Sequence, residues 1–147
     1  MSYRILWLNP CLYYVKWFEI PKPNSQMMKN YFFELNAILD SEENPVYFLS
    51  DLRKGHITNV HLLLQLAKVL NHKNYGGGAA FSDKGSASTD MSMFQYIQKM
   101  SRSTTANTNH QLFVTAEEAI AYLESLEADI TRDIHWEEIL SDAIFSQ

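Results

Sequence analysis

The first twenty residues contain two stretches that are typical of strands, and in the first of them apolar and polar positions loosely alternate. The first stretch covers residues 3–8, and the second, rich in aromatic and β-branched side chains, covers residues 12–20. An Asn-Pro dipeptide between them favours a turn, so the two strands are predicted to form an antiparallel hairpin. Pro21 and Pro23 then end the hairpin, because proline has no N–H to donate to a sheet.

Beyond the hairpin, apolar residues recur at spacings of three and four, which is typical of helices that bury one face. The predicted helices start after Ser25 and then cover residues 57–70, 91–100, 116–126 and 133–146.

Polar residues at three of the predicted helix starts are of the types that cap a helix. Asn24 or Ser25 can accept a hydrogen bond from a free N–H of the first helix. Thr115 and Glu118 match a capping box. In this motif the Thr side chain accepts a hydrogen bond from the backbone N–H of the Glu, and the Glu side chain accepts one from the backbone N–H of the Thr. Asp133 is the candidate cap of the terminal helix.

Three short apolar runs alternate with these helices, at residues 46–49, 79–81 and 112–114. Strands that alternate with helices need crossover connections, which place the strands parallel in one sheet. The small residues around 79–80 would let a helix or another backbone approach closely. Together with the opening hairpin, the pattern predicts an α/β domain with a mixed, mostly parallel sheet of about five strands and four to five helices.

Composition supports a packed core: 46% of the 147 residues are hydrophobic and the net charge is −5, which disfavours nucleic acid as a partner. Residues 115–147 hold nine acidic side chains and a single Arg, so the C-terminal third is a solvated face or a partner surface. Cys11 is the only cysteine, so no internal disulfide is expected. No targeting or membrane-spanning segment is recognisable, and the cytoplasm is the expected compartment.

The order and spacing of these elements resemble the STAS family, the SpoIIAA-like anti-sigma-factor antagonists, over residues 3–126. The resemblance is carried by the hairpin, the helix from Ser25, the segments 46–51 and 77–83, and the strand-to-helix segment 112–126. It implies a SpoIIAA-like (STAS) domain at residues 1–128. The C-terminal helical extension at 129–147 would pack on that domain or on a partner.

In signalling members of that family, a kinase phosphorylates a Ser in an Asp-Ser-Ser-Gly phrase that starts the helix after the third strand. The same region here, residues 55–60, reads Gly-His-Ile-Thr-Asn-Val, so the phrase is absent and Thr58 is its only hydroxyl. A helix start tolerates phosphate because its free N–H groups and dipole favour an anion. The resemblance therefore implies a non-enzymatic regulatory protein-interaction module with a kinase or regulator as partner. Its usual phospho-switch motif is not retained, and Thr58 is the candidate phospho-acceptor.

A Ser-Asp phrase occurs at two predicted strand ends, and basic residues follow the first copy. The polar residues concerned are Ser50, Asp51, Arg53, Lys54, Ser82 and Asp83. Ligands of open α/β sheets bind outside the carboxyl ends of strands, so these residues form a candidate ligand- or partner-binding edge. The alternative is turn chemistry, in which Ser and Asp bond nearby backbone amides.

Motifs for catalysis or cofactor binding are not found in the sequence. The three glycines at 76–78 precede a predicted strand, whereas a phosphate loop follows a strand and opens a helix. His56 and His61 do not have the spacing of a helical zinc pair, and no Gly-x-Ser-x-Gly elbow is present. We therefore predict no enzyme activity, no cofactor and no metal site.

Two functions remain open at this point. The first is the regulatory protein-interaction module. The second is a carrier of a small molecule or lipid, of a SpoIIAA-like or Sec14-like type, with an apolar cavity beneath the third predicted helix. Methionines on the first and third predicted helices are the side chains that would line it. A homodimer formed through the C-terminal helix is a further alternative.

Overall fold

A mixed five-stranded sheet forms the centre of the protein in the computed structural model, which describes residues 2–22, 24–55, 65–66, 68–82 and 109–141. The strands are β1 (Tyr3–Asn9), β2 (Leu12–Trp17), β3 (Val46–Asp51), β4 (Tyr75–Phe81) and β5 (His110–Phe113). They lie in sequence order; β1 pairs with β2 antiparallel, and every other neighbouring pair is parallel. The predicted α/β class, hairpin and mostly parallel sheet are confirmed.

The helices are α1 (Gln26–Ser41), α2 (Ala116–Leu126) and α3 (Trp136–Leu140), and residues 65–66 and 68–70 are also helical. Those five residues belong to the helix predicted at 57–70, whose first part lies outside the described residues. The helix predicted at 91–100 lies outside them too. Among the described ranges, no helix is long and apolar enough to cross a membrane.

Two of the predicted caps are confirmed. The Ser25 hydroxyl accepts a hydrogen bond from the N–H of Met28 at 3.2 Å, which satisfies one free donor of α1. The Thr115 hydroxyl accepts from the N–H of Glu118 at 3.2 Å at the start of α2. The same hydroxyl also donates to the Glu118 carboxylate at 3.0 Å, so the two side chains fix each other.

The start of the terminal helix differs from the prediction. α3 begins at Trp136, with His135 in the cap position and without a side-chain cap bond, so the cap predicted at Asp133 was wrong. Asp133 instead has a φ of 63°, and Asp129 has a φ of 62°. Aspartate tolerates this left-handed region better than most residues, so both serve in the turns that connect α2 to α3.

Side chains from alternate positions of each strand point to the two faces of the sheet, and each face carries its own core. The face that α1 covers, here called the first face, buries Val15, Trp17, Phe48, Ala80 and Leu112 with Met28, Tyr31, Leu35, Leu39, Val69 and Leu70. The opposite or second face buries Leu12, Tyr14, Tyr47, Leu49 and Phe81 with Ala119, Leu123, Ile130 and Ile139. The segment from Ile130 to Ile139 therefore packs on the second face together with α2.

The three glycines at 76–78 lie within β4, whereas the sequence pattern placed them before the strand. The close approach of neighbouring atoms explains why position 77 is a glycine. A Cβ on Gly77 would lie 2.7 Å from Cδ1 of Leu126 in α2 and 2.8 Å from the carbonyl oxygen of Asn109. The absence of a side chain at Gly77 therefore lets α2 and the start of β5 approach the sheet closely.

Candidate functional site

A cavity of about 100 Å³ lies on the first face, between the sheet, α1 and the helical residues 65–66 and 68–70. Most of its lining is apolar. Aromatic rings line it from Trp17, Tyr31, Phe48 and Tyr75, and aliphatic side chains from Met28, Leu35, Leu52, Leu66, Val69 and Leu70. Ser50 and His110 are polar residues in the same lining.

The cavity lies where β4 has short side chains on the first face, although Tyr75 at the start of β4 contributes its large ring to the lining. Beyond Tyr75, the first-face positions of β4 are Gly78 and Ala80, which pair with His110 and Leu112 of β5. The hydroxyl of Tyr75 occupies the space that a Cβ of Gly78 would take. Ala80 contributes only a methyl group, so the space above it is left open between its larger neighbours.

Aromatic rings give the cavity flat and rigid walls. The rings of Phe48 and Tyr75 are stacked with centroids 6.0 Å apart and planes inclined by 10°. Trp17 and Tyr31 meet edge to face, with centroids 4.9 Å apart. Such pairs stabilise each other beyond the area they bury, by roughly 0.5–1.5 kcal/mol. The walls are thus held in place independently of any ligand.

The two tyrosines of the cavity remain neutral at physiological pH. Burial raises the pKa of Tyr31, and a hydrogen bond from Trp17 opposes this only in part. Burial also raises the pKa of Tyr75, and the nearby Tyr31 and Tyr122 add to the effect. Because both phenols keep their protons, they present no negative charge to whatever enters the cavity.

A second cluster, which we call the strand-end cluster, consists of Tyr14, Lys16, Asp51 and Arg53 and lies on the second face, where β2 and β3 end. Asp51 is fully buried and Lys16 is 1% exposed. Oδ2 of Asp51 accepts hydrogen bonds from the Tyr14 hydroxyl at 2.8 Å, from Nζ of Lys16 at 2.8 Å and from Nη2 of Arg53 at 2.6 Å. Oδ1 accepts from the backbone N–H and Nε of Arg53 at 3.1 and 3.0 Å.

These contacts determine the charge state of Asp51. Burial alone would raise the pKa of its carboxyl group, because a low-dielectric interior disfavours the ionised form. The hydrogen bonds from Arg53, Lys16 and Tyr14 together outweigh that effect and hold the pKa below its usual value. Asp51 is therefore a carboxylate at neutral pH and forms ion pairs with two cations, Lys16 and Arg53.

Arg53 also connects the strand-end cluster to the C-terminal segment. Its Nη2 donates to the carbonyl oxygen of Leu140 at 3.1 Å, and its guanidinium lies 5.3 Å from the ring centroid of Phe81. The last carbonyls of a helix have no partner within the helix, so a cation there is favourable. Through this contact, one side chain joins the end of β3 to the end of α3.

The residues predicted from the two Ser-Asp phrases are distributed over different environments. Ser50 lines the cavity on the first face, whereas Asp51 points to the second face, as alternation along a strand requires. The Arg53 side chain is 38% exposed and Lys54 is exposed, while Ser82 is buried and its N–H donates to the carbonyl of Phe113 at 3.1 Å. Asp83 and Thr58 lie outside the described residues.

The sequence reasoning missed Tyr14, Lys16 and His110. Lys16 carried a signal, since it is the single charge within the aromatic and β-branched stretch of 12–17. A lysine in such a strand needs a buried anion, and Asp51 lies opposite it in the β2–β3 register. His110 follows a polar stretch and carries no comparable signal.

Metal ligation finds no support in the part of the chain that the structure describes. It contains no group of three or more His, Cys, Asp or Glu side chains that could hold a metal ion.

A scan against models of protein families finds no match, and searches of curated proteins and of solved structures find none either. Membership of the STAS family therefore stays a prediction. The function of the protein has to be inferred from the geometry of the cavity and of the strand-end cluster.

Proposed function

We propose that this protein binds a small, mainly apolar molecule in the cavity on the first face. The observation that supports it is the cavity itself, in which four aromatic and six mainly aliphatic side chains surround the short side chain of Ala80. Clefts and cavities lined mainly by apolar side chains, with a few polar groups, are the usual form of ligand sites in proteins. The proposed function is the binding of this ligand and does not include a catalysed reaction.

The size of the cavity favours a small ligand over a whole lipid. Sites for drug-sized ligands have volumes of roughly 300–1,000 Å³, and an apolar cavity of about 150 Å³ holds benzene. The volume of about 100 Å³ here is smaller than both, so it limits the ligand to at most one small ring, a short chain or the apolar end of a longer molecule. The cavity volume therefore favours the small-molecule version of the carrier function over the lipid version.

The experiment compares toluene binding to the wild type and to Ala80→Val, measured by two-dimensional NMR titration. Valine at position 80 adds two methyl-sized groups where the β4 side chain is short, and each buried group of this size is worth about 0.8 kcal/mol. We expect the affinity for toluene to fall about tenfold while the protein stays folded. Ala37→Val is the matched control, because Ala37 is exposed on α1.

Toluene binding by the wild type that Ala80→Val weakens and Ala37→Val leaves unchanged would support the proposal. The proposal is contradicted if neither toluene nor phenol binds the wild type, or if Ala80→Val binds toluene as tightly as the wild type does. Native mass spectrometry of freshly purified protein is the complementary measurement, since a retained small molecule would appear as a mass increment.

A regulatory interaction module is the second candidate, and exposed apolar side chains favour it. Phe33 on α1 is 77% exposed, Trp7 on β1 57% and Ile20 47%. Exposed aromatic side chains such as Trp7 and Phe33, and an arginine such as Arg53, are residue types that are enriched where proteins bind each other. Phosphosite mapping after incubation with ATP and host lysate tests the switch. The absence of phosphate at Thr58 would remove the phospho-regulated form of this function.

A further inference from the structure

Two polar side chains interrupt the apolar lining of the cavity, and the sheet register fixes their positions. His110 of β5 pairs with Gly78 of β4, which pairs with Phe48 of β3. One row further along, Ser50 of β3 pairs with Ala80. His110 and Ser50 therefore occupy opposite corners of the first-face surface that the short side chains of β4 leave open.

Strand geometry gives the scale of this arrangement. Two strand spacings of about 4.8 Å and two residues of about 3.3 Å each separate the Cα atoms of His110 and Ser50 by about 12 Å. A single ring above Ala80 would have its edge within reach of one of these side chains. His110 is 1% exposed, so its imidazole faces the interior and not the solvent.

The Tyr75 hydroxyl adds a further polar group beside His110. The hydroxyl lies over Gly78, which pairs with His110 in the sheet. The side chains of Tyr75 and His110 therefore line the same part of the cavity. The stacked rings of Phe48 and Tyr75 form a flat wall next to them. The cavity thus has a polar corner at His110 and Tyr75, a second polar residue at Ser50 and mainly apolar surfaces between them.

From this arrangement, and resting on the proposed function, we propose that the ligand is a flat, phenol-like molecule: a small apolar ring with one hydrogen-bonding group that bonds the imidazole of His110. A hydroxyl group buried in an apolar cavity is costly unless it is hydrogen-bonded, so a bond to His110 favours a ligand that carries a hydroxyl over the same ligand in a cavity without the imidazole. Selection of the ligand through a hydrogen bond is the property that distinguishes this site from a purely apolar cavity.

The test uses phenol and toluene, which share a ring and differ by a hydroxyl in place of a methyl group. The ratio of their dissociation constants is measured by NMR titration for the wild type, His110→Phe and His110→Gln. We expect His110→Phe to shift the ratio toward toluene by about tenfold, since an unsatisfied buried hydroxyl is costly. His110→Gln keeps hydrogen-bonding capacity and should retain most of the preference for phenol.

A second readout in the wild type does not depend on whether the variants fold. The ring-nitrogen resonances of the five histidines are followed during both titrations. The signal that is missing from His110→Gln identifies His110, and it should shift with phenol and not with toluene. If His110→Gln does not fold, ring-to-backbone correlations in the wild type assign the signal.

The outcomes separate the two proposals. A ratio that changes less than twofold in His110→Phe, or imidazole signals that respond equally to both probes, would overturn the hydrogen-bonded ligand and leave apolar binding intact. If neither probe binds the wild type, both proposals fail.

Discussion

Nζ of Lys16 lies 2.8 Å from Oδ2 of Asp51, and both side chains are shielded from solvent, at 1% and 0% exposure. Removing two charges from water is expensive, and only mutual attraction with further hydrogen bonds offsets that cost. Here the further bonds come from Tyr14 and Arg53. In the strand-end cluster, the other three side chains thus all bond the carboxylate of Asp51.

Asp51→Asn is expected to lower the free energy of unfolding by about 3–5 kcal/mol, because it leaves the Lys16 ammonium buried without its counter-charge. Urea denaturation followed by circular dichroism measures the change. The matched control is Asp40→Asn, which removes a carboxylate that is 72% exposed and lies 2.7 Å from His72. That exposed pair should contribute less than about 1 kcal/mol. Equal effects of the two substitutions would contradict the special role of the strand-end cluster.

The depressed pKa of Asp51 predicts a pH dependence of stability with a defined sign. The unfolded chain binds a proton at Asp51 near pH 3.9, whereas the folded protein does so only at lower pH. The stabilisation is therefore complete above about pH 4 and is lost as the pH falls from there through the folded-state pKa, by up to about 1.4 kcal/mol per pH unit.

Urea unfolding between pH 7 and pH 2 checks this prediction in the wild type and in Asp51→Asn. The difference in stability between the two proteins should stay constant from pH 7 to about pH 5 and narrow below pH 4. A difference that widens on acidification would show that the carboxyl is not held ionised by its neighbours.

Arg53→Leu is expected to loosen α3, because the Leu140 carbonyl loses the donor that joins it to the end of β3. Hydrogen exchange measured by mass spectrometry should be about tenfold faster over Trp136–Ser141, which corresponds to a local loss of about 1.4 kcal/mol. Arg53→Lys should give a similar result, since lysine lacks the planar fork that spans two partners. Arg132→Leu, which removes an exposed cation from the same segment, is the control. If hydrogen exchange over Trp136–Ser141 is as slow in Arg53→Leu as in the wild type, the role of Arg53 in holding α3 is contradicted.

Much of the architecture was predictable because it depends on local signals. The spacing of Met28, Tyr31 and Leu35 defines the buried side of α1, and Ser25 marks its start. The apolar run that becomes β3 has no polar position before Ser50, as expected of a central strand covered on both faces. These features are encoded within one turn or one strand and need no knowledge of distant neighbours.

The sites were less predictable because they depend on register between distant segments. Lys16 meets Asp51 only because β2 and β3 are parallel with one particular pairing of residues. His110 lines the cavity because β5 aligns it with Gly78. Alternation also separated Ser50 from Asp51, which are adjacent in the sequence, onto opposite faces of the sheet.

Alternate positions of the glycine- and alanine-rich β4 strand have different roles, because they face opposite sides of the sheet. Gly77 faces α2 and sets how closely that helix approaches, while Ala80 faces the cavity and sets its depth. Substitutions at the β4 positions that face the cavity can therefore alter which ligands it accepts without disturbing α2 on the opposite face. A single strand of seven residues thus offers independent adjustment of ligand size and of helix packing.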